Sequence, residues 1–154
     1  MAGLMREDYI MRLVEMMTQA LIRLAGMREA KHFDEAEVEL EAAYQTLLGS
    51  NAELFRRIDA KTGAELLADP QKSAMLSDLL HEEAELIRAV DGYPESLDQL
   101  ALEYSLEALM AKPNSDEIKT RVEKLAPFVE SELLDERYRE ALINVRRTPK
   151  VRRT

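Results

Sequence analysis

Phe33-Asp34-Glu35-Ala36-Glu37-Val38-Glu39-Leu40-Glu41-Ala42-Ala43 is the stretch that decides how this 154-residue chain folds. Ala36, Leu40 and Ala43 recur at the spacing of one helix face. Two small side chains around a leucine let that face lie close against a neighbouring helix, with the leucine filling the remaining gap. Asp34 is placed to cap the helix and Gly49 to stop it, so a helix is predicted over 34–48. Residues 6–29 read as its partner, joined to it by a tight turn.

That first helix has an unusual surface. Asp8, Arg12, Glu15, Gln19 and Arg23 form one narrow polar stripe. Tyr9, Ile10, Leu13, Val14, Met16, Met17, Leu21, Ile22 and Leu24 occupy most of the rest. A helix apolar over more than half its circumference has to be covered on two sides. It therefore either sits centrally in the domain or packs against a second copy. Its methionines (Met5, Met11, Met16, Met17 and Met27) suit ordinary core packing, an adaptable binding surface or a self-association seam.

Further along, Ser50 or Asn51 can cap a brief helix running to residue 58, Thr62-Gly63 is read as a break, and Asp69-Pro70 closes one more turn. Helices are predicted over 71–90, 94–111, 115–125 and 129–144. Asp91-Gly92 and Lys112-Pro113-Asn114 are turns, Ser115 is a cap, and Pro127 is an interruption. Residues 146–154 contain Arg146, Arg147, Lys150, Arg152 and Arg153, no acid and a proline, and are expected to be a basic flexible tail. Residues 1–145 are expected to form one helical domain.

Composition agrees with this helical reading. Five Gly, five Pro and 5% aromatics leave Ala, Leu, Glu, Met and Arg dominant, all good helix formers. No cysteine is present, which rules out disulfides, thiolate metal sites and thiol catalysis; a cytoplasmic location is the simplest expectation. No apolar run reaches membrane-spanning length, and residues 1–8 lack the pattern of a secretory signal, so membrane insertion is not expected. The net charge is -9, and it is more negative once the basic tail is set aside; such a body repels nucleic acid. The tail's five cations lack interleaved aromatics for base stacking and read as a solubilising end. Contact with an acidic partner, lipid or nucleic acid, and screening of the acidic body itself, are the alternatives.

Two segments align on the tetratricopeptide (TPR) pattern. In the second, Ala84 and Ile87 take inner positions, Tyr93 stands where Phe33 does, Ser96 where Ala36 does and Leu100 where Leu40 does; Glu103 breaks the match with Ala43. Phe33 and Tyr93 lie further apart than the repeat period of about 34 residues, so the 50–70 region is an insert and the array is irregular. With Asp8-Tyr9-Ile10-Met11-Arg12, Leu48-Gly49-Ser50-Asn51-Ala52-Glu53-Leu54 and Leu79-Leu80-His81-Glu82-Glu83-Ala84-Glu85, the chain resembles an uncharacterised bacterial family of TPR-like helical proteins. The resemblance implies an all-α fold of TPR-like hairpins and no assigned activity. It reaches to about residue 125. Beyond that, family members tend to finish with a further helical hairpin, whereas this chain runs into Arg146-Arg147-Thr148-Pro149.

Catalytic and metal chemistry have little to stand on. Glu29-x-x-His32 and Asp78-x-x-His81 echo the Glu-x-x-His pairs of di-metal carboxylate bundles. However, Lys31 sits beside His32, Asp is shorter than Glu, and His81 lies off the apolar stripe of its helix, so both histidines are expected at the surface. The five glycines are isolated and form no phosphate-cradling loop, and no Gly-x-Ser-x-Gly occurs.

The expectation is an all-α chain of irregular TPR-like hairpins with about five to seven helices. It is expected to be a non-catalytic protein-interaction module with no cofactor and no metal, its partner an unidentified protein or peptide. Arg12, Arg23, Arg28 and Lys31 are the candidate contacts for an acidic peptide. The alternative is a homodimer or larger assembly through the first helix, with Leu13, Met16 and Met17 in the seam; a metal-binding helical protein is a remoter alternative.

Overall fold

The computed structural model describes residues 2–147. Among these the chain is all-α, with no strand. In order, its helices are α1 (Ala2–Glu29), α2 (Phe33–Leu48), the six-residue α3 (Ala52–Arg57), α4 (Ala60–Leu67), α5 (Pro70–Ala89), α6 (Glu95–Ala111), α7 (Asp116–Leu125) and α8 (Glu136–Arg147). Leaving out α3, seven have eight residues or more, within the expected number. No helix among the described residues is long and apolar enough to cross a membrane. Of the expected tail, Arg146 and Arg147 form the last turn of α8, and residues 148–154 lie outside the described residues.

The centre of the molecule is the α5–α6 pair, its most extensive helix contact. Small residues make it close: Ser73, Ser77 and Ala84 on α5, and Ala101, Ser105 and Ala108 on α6, are all buried. The Ser77 hydroxyl donates to the Ala101 carbonyl at 2.7 Å, and the Ser105 hydroxyl to that of Leu102 at 2.8 Å. The buried hydroxyls therefore carry hydrogen bonds, and the serines act as small core residues. In α6 the sequence alignment does not mark the buried positions. Ser96, set against Ala36, is exposed, and the small buried residues begin at Ala101.

Both α1 and α2 pack on α5 and on each other. Ala36, Leu40 and Ala43 are buried as their spacing predicts, and the polar stripe Asp8, Arg12, Glu15, Gln19 and Arg23 is exposed. The turns after α1 and α5 repeat one geometry. Lys31 has φ 61° and Asp91 has φ 62°, and the next residue's amide reaches back to Met27 (His32, 2.8 Å) or Ile87 (Gly92, 2.9 Å). This is the left-handed closure by which helix ends commonly satisfy their last carbonyls.

Several boundaries differ from expectation: α1 begins at Ala2, not at residue 6, and Asp34 lies inside α2, whose N-cap position is His32. Thr62-Gly63 lies inside α4, where Asp59 caps the helix by accepting from the Thr62 amide at 2.7 Å. Gly63 is there for space: a Cβ on it would lie 1.8 Å from the Tyr104 hydroxyl of α6. The last helix starts at Glu136, not at residue 129, because short 3-10 turns at Ala126–Phe128 and Ser131–Leu133, with extended residues between them, hold the intervening chain. Two polar clasps fix the C-terminal helices. Arg121 of α7 grips Asp78 of α5 through two hydrogen bonds of 2.7 and 2.8 Å. Glu107 of α6 accepts from Arg137 and from the Tyr138 hydroxyl (3.0 Å) of α8.

Candidate functional site

Along the outer side of the α1–α2 hairpin runs an open groove of about 800 Å³. Met16 and Ala20 line it from α1, Ala42, Ala43 and Thr46 from α2, and the Arg23–Glu39 pair bridges its rim. Small side chains from two adjacent helices make it broad. Outside the groove, Met11 and Ile22 of α1 are exposed by 65% and 62%.

The four candidate cations separate into two kinds. Arg23 is held by Glu39 (Nε–Oε1 2.7 Å), and Arg28 turns inward towards Glu82 and Glu85 of α5 at 3.6 and 4.0 Å. Arg12 and Lys31 are exposed and have no ion pair among the described residues. The self-association candidates separate as well. Leu13 and Met17 are buried in this chain's own core, where α2 and α5 cover them, so neither is free to form a seam. Met16 is exposed and lines the groove.

A second constellation lies where the end of α1, the second half of α5 and the start of α6 meet. Its hub is Glu85. Arg88 donates to Glu85 at 2.6 Å and to Asp98 of α6 at 2.6 Å, and its guanidinium stacks on Phe128, 4.5 Å from the ring centroid. The His81 ring lies 5.4 Å from Phe128, with Nε2 3.8 Å from Glu85. His81 is buried, contrary to the surface position expected for it. The turn at Ala126–Phe128 brings an aromatic ring over it, which the spacing of α5 alone does not reveal. His32 sits in its turn, exposed, 3.8 Å from Glu35.

Electrostatics in this cluster follow burial and pairing. Burial lowers the pKa of His81, against the pull of Glu85, and so favours the neutral ring. Burial raises that of Glu82, with Arg28 opposing. For Glu85 burial acts upwards too, but hydrogen bonding and charge from Arg88, with His81 and Arg28, hold it below the usual carboxylate range. Arg28 Nε, His81 Nδ1 and Asp98 Oδ1 are buried without a hydrogen-bond partner among the described residues. Such atoms are uncommon in folded proteins and call for an explanation. The spacing His81–Glu85–Arg88 puts three polar groups on one face of α5, a signal the sequence carries but only the fold makes legible.

No protein-family model matches this chain, and no curated protein or solved structure matches it. Its chemistry is therefore read from geometry alone. No group of three or more His, Asp or Glu side chains among the described residues is arranged to hold a metal ion. In the Asp78-x-x-His81 pair, Asp78 is taken by Arg121 and His81 turns to Phe128 and Glu85. Around Glu85 the acids face arginines, and these charge-assisted pairs hold the side chains in place.

Proposed function

We propose that this chain is a non-catalytic protein-interaction module, TPR-like in its hairpins, that takes a protein or peptide partner along the α1–α2 groove. The groove carries this reading. It is a wide trough with a floor of Ala20, Ala42 and Ala43, a flexible Met16 wall and a polar rim, all on one hairpin. Repetition of the left-handed turn at Lys31 and Asp91 favours the hairpin comparison. Arg12 and Lys31, having no ion pair among the described residues, are the cations that best suit an acidic partner. A cytoplasmic setting belongs to the same reading and accords with the lack of cysteine.

The test is capture from lysate with the full chain, Ala42→Arg and Leu66→Arg. Ala42 is exposed on the groove floor, and Leu66 is an exposed apolar residue elsewhere, so neither change disturbs the core. A partner retained by Leu66→Arg and lost about tenfold by Ala42→Arg is expected, the loss of a central contact worth about 1.4 kcal/mol. Equal capture by both variants overturns the groove.

Exposure of Met11, Met16 and Ile22 favours a second reading, a homodimer through α1. Sedimentation velocity over a wide concentration range distinguishes the two. A dimer should dissociate in Met16→Asp, whereas a mass that stays monomeric at every concentration rejects this reading.

A further inference from the structure

A cavity of about 470 Å³ opens where the end of α6, the start of α7 and the length of α8 meet. It shares no residue with the α1–α2 groove. Leu109 and Met110 of α6, with Ala141 and Val145 of α8, give it an apolar wall. Its volume is that of a small-molecule site.

The decisive polar group is Lys119. It lies on the buried face of α7, with Ile118, Val122 and Leu125. Only 6% of it is exposed, yet it has no ion pair and no side-chain hydrogen bond among the described residues. Lysines are almost never buried this far without a partner. Unlike the sealed atoms His81 Nδ1 and Asp98 Oδ1, its Nζ retains accessible surface, which the cavity it lines supplies. The other cation on the lining, Arg137, is already held by Glu107 through both terminal nitrogens of its guanidinium. Glu140 is exposed on the lining and is not paired with Lys119. The Asn114 and Asn144 side chains, also on the lining, have no side-chain hydrogen bond among the described residues. A buried ammonium without a counter-charge is costly, and an anion that reaches it offsets that cost.

We infer that this cavity binds a small monocarboxylate carried on an aliphatic chain. The carboxylate sits on the Lys119 ammonium, the Asn114 and Asn144 amides are further donors, and the chain lies along Leu109, Met110, Ala141 and Val145. Glu140 repels a second negative charge, so one carboxylate fits where a diacid or a phosphate does not.

The full-length protein, labelled with nitrogen-15, is titrated at physiological ionic strength with octanoate and, separately, with octylamine and octanol, which carry the same chain with the opposite charge or none. Octanoate should give saturable shifts confined to the amides of residues 109–119 and 137–145, and the other two should bind at least about tenfold more weakly. Lys119→Met keeps the stem and removes the charge, and the apparent Kd for octanoate should weaken about tenfold. Without ligand this variant should melt no lower than the wild type, because the charge it loses is unpaired; a lower melting temperature would mean that the ammonium already has a partner. Asn144→Trp fills the mouth from an exposed position of α8 and should abolish binding with the fold kept. Absence of saturable shifts, octylamine or octanol bound as tightly as octanoate, or a Kd unchanged in either variant overturns the assignment.

Discussion

The α5–α6 pair and the α1–α2 hairpin are both antiparallel helices joined by a left-handed turn, and they bury their surfaces very differently. In α6, Ala101, Leu102, Tyr104 and Leu106 have no exposure at all, because α5, α4, α7 and α8 surround that helix. In α1 the residues facing α2 and α5 are equally buried, but Met11 and Ile22 stand in solvent. The same local motif is a finished core in one place and an open surface in the other. Neighbours, not helix sequence, make the difference.

Replacing one leucine or isoleucine in α1 gives the widest separation. Leu13→Ala should cost about 3 kcal/mol by loss of buried surface and formation of a cavity, whereas Ile22→Ala should stay within about 0.5 kcal/mol. Urea unfolding measures both. Equal effects would mean that α1 is covered on its outer side as well, and the contrast would disappear.

Two helical glycines sharpen the comparison. Gly63→Ala drives a methyl group into Tyr104 and should destabilise by about 2–3 kcal/mol. Gly26→Ala in α1 meets nothing within 4 Å and should stabilise by about 0.5–1 kcal/mol, the ordinary helix preference for alanine. Opposite signs in thermal melts are the expected result; a destabilised Gly26→Ala would show hidden packing on that side of α1.

The smallest effect is one of pH. The folded pKa of His81 lies below its unfolded value, so the native state resists protonation. Its contribution to stability is present above pH about 6.5 and is lost as pH falls towards the folded pKa. Glu82 and Glu83, raised by burial, act in the opposite sense: their protonation on acidification favours the native state. Comparing stability profiles of the wild type and His81→Leu isolates the histidine. The variant should lose less stability between pH about 7 and 5; parallel profiles would show that the ring titrates as it does in the unfolded chain.

Much of this architecture is legible in the sequence, and the reasons for the rest are specific. Ala36, Leu40 and Ala43 announce the buried face of α2, and Ser115 caps α7 as read, accepting from the Ile118 amide at 3.2 Å. These are local signals. Gly63 reads as a breaker until Tyr104 of a distant helix shows why only glycine fits. Met16 and Met17 are chemically identical, and only the positions of α2 and α5 expose one and bury the other. The Glu85 hub gathers Arg28, His81, Arg88 and, through Arg88, Asp98 from three helices, so no window along the chain contains it.

The serine- and alanine-lined seam between α5 and α6 also bears on how the chain reaches its fold. The two helices are adjacent in sequence, so closing the loop between them loses little chain entropy, and each narrow side chain has few ways to pack wrongly. We expect this pair to form the nucleus, with α1 and α2 docking on a ready-made α5 afterwards. Amide exchange would then be slowest around Leu79 and Leu102 and faster along the bare side of α1, leaving the hairpin that carries the groove as the most readily opened part of the molecule.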